Sequence, residues 1–347
     1  MNNTISPFAT LVDAVSTIES TTTRLAVVLD KDRKVIGTLT DGDIRRSILN
    51  GSDLNTKVTE SMNKNPIIAL INESDSALKK MLIKHQIRSI PLVNNENEYV
   101  RTLYETELYL TDNILSIEKN FSKAVIMAGG EGKRLRPLTE NIPKPMIDID
   151  GVPLLERQIR SLEKMGIKTI YISINYLGNI IKDYFGDGKK FGVTIHYLNE
   201  NKKLGTAGAL SLLTGIDKEE DILVMNGDIL TSSDFENLHH FHREHHSMIT
   251  VCAIDYFVNI PYGVIESDGV KVTELQEKPS QRFFCNAGIY AISMATIQKI
   301  PKDTFINMTD FIEQCLKDKD AVSVFPVHEY WTDIGTRYDL DKARHMY

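Results

Sequence analysis

The stretch Lys123–Ile147, KAVIMAGGEGKRLRPLTENIPKPMI, constrains this chain more than any other. An apolar run, Ala124–Ala128, reads as a buried strand and breaks at once into Gly129, Gly130 and Gly132. Lys133, Arg134 and Arg136 follow, and the stretch closes on Lys144 between Pro143 and Pro145. Glycine lets a backbone turn with positive φ and approach a ligand closely. Successive main-chain N–H groups in such a loop form an anion-binding concavity, and basic side chains beside it add charge-assisted bonds to phosphate. The stretch predicts a nucleotide-phosphate site at the end of a strand. Spacing excludes two common loops. A P-loop would need Gly at Met127 and Ser or Thr at Arg134, and the dinucleotide pattern G-x-G-x-x-G would need Gly at Leu135.

A length of 347 residues suggests two domains, or one large one, with sizeable cores. The net charge of −7 gives no broad basic surface for nucleic acid, so the basic residues of the glycine loop are local exceptions. The N-terminus, MNNTISPF, has neither the basic nor the apolar region of a signal peptide, and no apolar run reaches membrane-spanning length. Cys252, Cys285 and Cys315 are widely spaced and read as reduced thiols of a cytoplasmic protein.

Ahead of the glycine loop one pattern occurs twice. Ser6-Pro7 reads as a helix cap with a first-turn proline, before Phe8, Leu11, Val12, Val15 and Ile18 at helical spacing. Leu25–Leu29 and Val35–Thr40 read as strands about a turn, and Asp41 or Asp43 caps a short helix ending at Leu49. Ile67–Leu70, a helix capped by Ser74 or Asp75, strands Ile87–Val93 and Tyr99–Leu103, and a short helix Glu105–Leu110 repeat the order. An internal repeat is a fold-level signal, and neither copy is large enough to stand alone.

Residues Pro7–Leu110 resemble a tandem pair of CBS domains, a Bateman module. The segment Gly37–Asp43, GTLTDGD, matches the family's G-h-x-T-x-x-D. The resemblance implies that Thr40 and Asp43 contact the ribose and phosphate of an adenine nucleotide, and that the module makes the chain a homo-oligomer. The second copy, Arg101–Glu107, lacks the Gly and the Thr and has Glu for the final Asp, so one adenosyl site at most is expected. The alternative is that Asp41 and Asp43 only cap a helix and the module serves dimerisation. The polar connection Thr111–Asn120 sets the boundary: residues 1–118 form the module, with copies of about 1–58 and 59–118, and residues 122–347 form a second domain.

In that second domain apolar runs at Ala124–Ala128, Thr169–Ile174, Thr194–Leu198, Ile222–Met225 and Met248–Ile254 read as strands. Amphipathic segments lie between several of them: Leu154–Met165, Ile180–Phe185, Ala207–Leu213 and Phe235–His246. The alternation predicts an α/β fold, a mostly parallel sheet with helices on both faces, whose ligands bind beyond the carboxyl ends of the strands. Ile222–Asp228, ILVMNGD, ends a hydrophobic strand on a carboxylate at that edge. A hard divalent cation binds through one or two carboxylates plus substrate phosphates, and Asp333 in WTDIGT supplies the second. The loop from Asn199 to Ala209 places small residues at a helix entry, where a base or phosphate can lie against backbone N–H groups. His239, His240, His242, His245 and His246 read as a polar helix face rather than a metal site, because Arg243 breaks any H-E-x-x-H.

In this order the glycine loop, LGTAGAL, NGD, YGVIE, EKP, NAGIY and WTDIGT resemble a sugar-1-phosphate nucleotidylyltransferase over Lys123–Tyr347. The resemblance implies a Rossmann-like nucleotidyltransferase sheet. It also implies that Gly129, Gly130, Gly132 and Arg134 hold a nucleoside triphosphate, that Lys144 touches phosphate at the reacting centre, and that Glu200, Gly205 and Thr206 lie against base and ribose. Asp228 and Asp333 would bind Mg²⁺; Gly263, Glu277, Lys278 and Asn286 would receive the sugar phosphate. A CBS pair ahead of a short transferase resembles guanylyltransferases that make GDP-activated amino sugars or heptoses for bacterial surface glycans. GTP and glucosamine-1-phosphate are therefore the expected substrates. Uridylyl, thymidylyl or cytidylyl transfer is the alternative within the class, and a non-catalytic nucleotide sensor the alternative outside it. Such a sensor predicts damaged phosphate or metal residues, and Arg134, Lys144, Asp228 and Asp333 are all present.

Overall fold

Thr10, not Ser6, caps the first helix. In the computed structural model, which describes residues 3–21, 24–85, 87–104, 107–108 and 120–344, that helix runs Leu11–Glu19. Thr10 and Asp13 form a reciprocal capping box, with the Asp13 carboxylate accepting from the Thr10 N–H at 2.8 Å. Two backbone donors satisfied together outweigh the single turn that a Ser-Pro cap offers. The shift leaves Phe8 exposed and buries Leu11, Ala14 and Ile18.

The chain divides into two compact units, Met1–Ile117 and Glu118–Tyr347. The first begins with strand β1 (Thr4–Ile5), followed by the capped helix, β2 (Ala26–Leu29) and β3 (Val35–Leu39), in one sheet of order β1-β2-β3. Helix Asp41–Leu49 follows. A second sheet repeats the plan with β4 (Ala69–Leu70), helix Asp75–His85, β5 (Ser89–Val93) and β6 (Tyr99–Tyr104), in order β4-β5-β6. Buried Asn3 ties the two halves together. Its amide donates to Thr102 Oγ1 at 2.9 Å and its carbonyl accepts from the Tyr99 hydroxyl at 2.6 Å. Of the expected helix Glu105–Leu110, residues 105, 106, 109 and 110 lie outside the described residues, as does nearly all of the connection Thr111–Asn120.

The second unit opens on β7 (Lys123–Met127), the strand ahead of the glycine loop. Two short strands, β8 (Asp148–Ile149) and β9 (Val152–Pro153), precede helix Leu154–Lys164 and β10 (Thr169–Ile174). Then come helix Gly178–Phe185, β11 (Thr194–Asn199), the short helix Gly205–Gly208, β12 (Asp221–Asn226), β13 (Ile229–Thr231) and helix Phe235–Glu244. The remainder is β14 (Ile249–Asn259), hairpin β15 (Val264–Asp268) and β16 (Lys271–Gln276), β17 (Ser280–Ser293), helix Met308–Lys317, β18 (Val322–Val327), β19 (Trp331–Asp333) and helix Arg337–Arg344.

Seven strands form the central sheet in the order β11-β10-β7-β12-β17-β14-β18. Every neighbouring pair is parallel except those involving β17, so the sheet is mostly parallel. Both faces are apolar. Ala124, Ile126, Leu223 and Met225 face one core with Leu155, Ile159 and Leu162, while Val125, Ile222 and Val224 face another with Phe311 and Cys315. Burial on both sides is why these strands read as unbroken apolar runs. No helix among the described residues is long and apolar enough to cross a membrane.

The histidine-rich helix differs from expectation. His239 and His242 are buried, with Nε2 atoms 3.6 and 3.5 Å from the carboxylate of buried Asp221. Asp221 draws them inward and also pairs with Arg243 at 2.5 Å, so this helix face belongs to a buried polar cluster.

Candidate active site

Several backbone segments converge beyond the carboxyl ends of β7 and β12. After Met127 the chain leaves the sheet, with the Ala128 N–H still bonded to Ser173 O at 2.9 Å. Gly132 takes a left-handed conformation, φ 60°. A Cβ there would lie 3.0 Å from Lys144 Cβ and Thr139 Cγ2, so any side chain at this left-handed position would be both strained and crowded. Thr139 Oγ1 donates to Gly132 O at 2.8 Å and fixes the loop. Gly129 lies against Glu200, because a Cβ there would fall 2.7 Å from Glu200 Oε1.

Lys144 is almost fully buried. Its ammonium is bonded to Asp228 Oδ2 and lies 3.7 Å from Asp333 Oδ1. Asp333 reaches this place through the short antiparallel ladder of β13 and β19, in which Ile229 pairs with Asp333. The Ile334 N–H donates to Asp228 O at 2.9 Å and locks the two segments together. Burial, and then the negative charge of Asp228, raise the pKa of Asp333; Lys144 and Arg134 oppose the shift. Asp333 Oδ1 is buried without a hydrogen bond.

The LGTAG loop is a further segment of the site. Glu200 accepts from Ser173 Oγ and, through Oε2, from the Leu204 N–H at 3.0 Å. Gly205 has φ 78°, and a Cβ on it would sit 2.4 Å from Ile306 O. The Ala207 and Gly208 N–H groups donate to that same carbonyl at 3.0 and 3.1 Å. Thr206 Oγ1 accepts from the Met308 N–H at 2.8 Å, which anchors it at the start of helix Met308–Lys317. A cavity of about 420 Å³ lies between these segments, lined by Gly129, Gly130, Lys144, Glu200, Thr206 and Asp228 among others.

The structure thus brings together the residues expected for the triphosphate and the metal. The four expected for sugar phosphate do not line this cavity. Gly263, Glu277 and Lys278 lie on the arm built from β14 to β17, where a Cβ on Gly263 would meet Glu277 Oε2 at 3.1 Å and Lys278 has φ 48°. Asn286, where the arm joins the sheet, accepts from the Gly288 N–H at 2.8 Å. Three residues escaped sequence reasoning. Phe305 and Asn307 line the cavity from a loop with no motif of its own. Gln158 is buried and donates to Asn226 O and Ile229 O at 2.9 and 2.8 Å, bracing the turn that carries Asp228. Its signal was a polar residue at a core position of an apolar helix stripe.

In the first unit Thr40 and Asp43 form a capping box for helix Asp41–Leu49. The Asp43 carboxylate accepts from the Thr40 N–H and hydroxyl, both at 2.8 Å, and pairs with Arg46 at 2.7 Å.

Mannose-1-phosphate guanylyltransferase of Mycobacterium tuberculosis is 30% identical to this chain over 223 residues, covering 62% of each. The bifunctional protein GlmU of Methanococcus aeolicus is 34% identical over 226 residues, covering 62% of this chain and 52% of that one. The chain therefore spans less than two thirds of the length of these curated relatives. Among solved structures, HddC from Yersinia pseudotuberculosis matches with a TM-score of 0.53 at 28% identity, over 65% of this chain and 99% of that one. The same protein complexed with GMP-PN matches with a TM-score of 0.51 at 26% identity, over the same shares. Residues 3–50 match the CBS domain model. Residues 123–347 match the nucleotidyl transferase model, and the chain belongs to that family.

Proposed function

We propose that the second unit transfers guanylate from GTP to a sugar-1-phosphate, releasing pyrophosphate and forming a GDP-sugar for surface-glycan synthesis in the cytoplasm. The observation that carries this reading is the meeting of Lys144, Asp228 and Asp333, the first two of which line a glycine-lined cavity. Relatives named as guanylyltransferases and a structural neighbour complexed with GMP-PN support GTP as the donor. Glucosamine-1-phosphate is the first acceptor to test, and the named relatives add mannose-1-phosphate.

An oxygen of the sugar phosphate attacks the α-phosphorus, forming one P–O bond as the bond to the departing pyrophosphate breaks. That oxygen is already ionised at neutral pH, so no general base is required. Two polyanions must be brought into line, and the work is positioning and charge neutralisation. The N–H groups of Gly129 and Gly130 face the triphosphate, Arg134 and Lys144 neutralise it, and Glu200, Gly205 and Thr206 set the nucleoside. Gly263, Glu277, Lys278 and Asn286 hold the sugar phosphate once the arm lies over the cavity. Asp228 and Asp333 fit a hard cation such as Mg²⁺: two carboxylates adjoin, and one buried oxygen has no hydrogen bond. Bound there, the ion would offset the charge of the reacting phosphates.

The first unit, read as two CBS copies, would take one adenine nucleotide at Thr40 and Asp43, shift activity through its differential affinity for two states, and add a contact between copies of the chain. The direct test of the transfer is product identity. Mass spectrometry of a reaction of GTP with glucosamine-1-phosphate is expected to show a GDP-hexosamine, and its absence across hexose and hexosamine phosphates contradicts the reading.

A further inference from the structure

Two lysines from different loops share one carboxylate in the wall of the cavity. Glu131 belongs to the glycine loop, between Gly130 and Gly132. Its Oε1 pairs with the ammonium of Lys203, on the loop that leads to Gly205, and its Oε2 lies 3.4 Å from the ammonium of Lys133. All three residues line the cavity. The side chains of Lys203 and Lys133 are 61% and 68% exposed and that of Glu131 22%, so the carboxylate is the sheltered member of the trio. The bond from Lys203, ahead of the contact with Lys133, holds the Glu131 carboxyl below its usual range, so it stays an anion wherever a phosphate would.

The lining carries no surplus of positive charge. Its three lysines, Lys133, Lys144 and Lys203, are matched by three carboxylates, Glu131, Glu200 and Asp228. Each of these lysines already has a carboxylate partner, Lys144 in Asp228 and the other two in Glu131. A polyphosphate therefore enters this site by taking partners from carboxylates. The Glu131 contacts are the ones to yield. Exposed ion pairs contribute little because solvent screens them, and a phosphate offers each ammonium more charge and more acceptor oxygens than a carboxylate does. Lys144, almost fully buried against Asp228, stays with the reacting centre.

We propose that Lys203 is a phosphate-binding residue for the nucleoside triphosphate: in the free chain Glu131 occupies the place of the terminal phosphates, and binding exchanges it for them. Lys203 and Lys133 then grip the part of the donor that departs as pyrophosphate, and the ligand joins the loop of Lys203 to the glycine loop. The departure of that part rests on the proposed transfer; the affinity of Lys203 for a polyphosphate does not.

Calorimetry of the full chain with tripolyphosphate, GTP and GMP at a fixed Mg²⁺ concentration tests it. Lys203→Ala is expected to weaken tripolyphosphate and GTP binding on the order of tenfold, and Lys203→Arg to keep most of the affinity. GMP lacks the terminal phosphates, so its affinity is expected to be the same in Lys203→Ala as in wild type. Glu131→Gln, equal in shape but uncharged, is expected to tighten tripolyphosphate binding, because the internal anion no longer competes. That sign separates an exchange from a brace: a bond that only fixed the two loops would make Lys203→Ala and Glu131→Gln both weaken binding. Unchanged tripolyphosphate affinity in Lys203→Ala overturns the proposal. So do weaker binding in Glu131→Gln, equal losses for GTP and GMP, and a wild type that takes up no tripolyphosphate. A wild type that binds tripolyphosphate through Lys203 but transfers no nucleotide supports this site and contradicts the proposed transfer.

Discussion

Asp333 stands opposite Ile229 across a two-stranded antiparallel ladder, and this register alone delivers its carboxylate to Asp228 from more than a hundred residues away. Lys144, from a third segment, lies between the two carboxylates. The site is therefore a tertiary product of two strand ends and the short helical turn that begins at Lys144, and its parts are open to separate tests.

Asp228→Ala is expected to lower turnover on the order of a thousandfold, equivalent to about 4 kcal/mol of transition-state stabilisation. Circular dichroism should be unchanged, since the backbone bond from Ile334 to Asp228 O survives. Near-normal activity in the folded variant contradicts the assignment.

Lys144→Met leaves two neighbouring carboxylates without their buried ammonium. The melting temperature is expected to fall, by a loss of about 1–3 kcal/mol, and added Mg²⁺ to restore part of it. A melting temperature equal to wild type in metal-free buffer argues against the pairing.

Gly205 and Gly130 separate backbone strain from ligand approach. Gly205→Ala puts a Cβ 2.4 Å from Ile306 O at φ 78°, and is expected to cost about 1–3 kcal/mol in chemical denaturation. Gly130 has no neighbour within 4 Å of a built Cβ. Gly130→Ala is expected to keep its stability and lose affinity for GTP in calorimetry; retained affinity contradicts close approach of phosphate to this loop.

The raised pKa of Asp333 sets a pH dependence. Its proton is held more tightly in the folded chain than in the unfolded one. The stability it contributes is therefore fully present below the unfolded value of about 3.9 and is lost as pH rises through its elevated folded value. Asp333→Asn removes this loss, so in metal-free buffer its melting temperature is expected to gain on wild type as pH rises. A difference that does not change with pH contradicts the coupling to Asp228.

Asp43→Ala is expected to lower the stability of the first unit by about 1 kcal/mol through the lost capping box, and to abolish the heat of adenine-nucleotide binding. Equal heats from AMP, ADP and ATP in variant and wild type count against a site at Thr40 and Asp43.

Much of the site was legible because it lies where strong local signals end. The apolar runs of β7 and β12 stop at Gly129 and Asp228, and strand ends of a parallel sheet are where ligands bind. The arm was not legible as strands. Val264–Asp268 and Lys271–Gln276 are almost wholly exposed, so no buried face imposes a period that a sequence can display. Burial of His239 and His242 was hidden for the opposite reason. Their partner, Asp221, comes from another strand, and a helix pattern cannot report a distant carboxylate. The cap at Thr10 was local and readable, but Ser6-Pro7 offered a competing start, and only the reciprocal bond from Asp13 separates them.

The most direct test of the account is pyrophosphate release from the purified chain with Mg²⁺, one sugar-1-phosphate and each of GTP, ATP, UTP, dTTP and CTP in turn. Glucosamine-1-phosphate with GTP is expected to give the highest kcat/KM, with mannose-1-phosphate as the comparison acceptor. A clear preference for UTP, dTTP or CTP contradicts the choice of base. No release with any pair of substrates contradicts the enzyme itself.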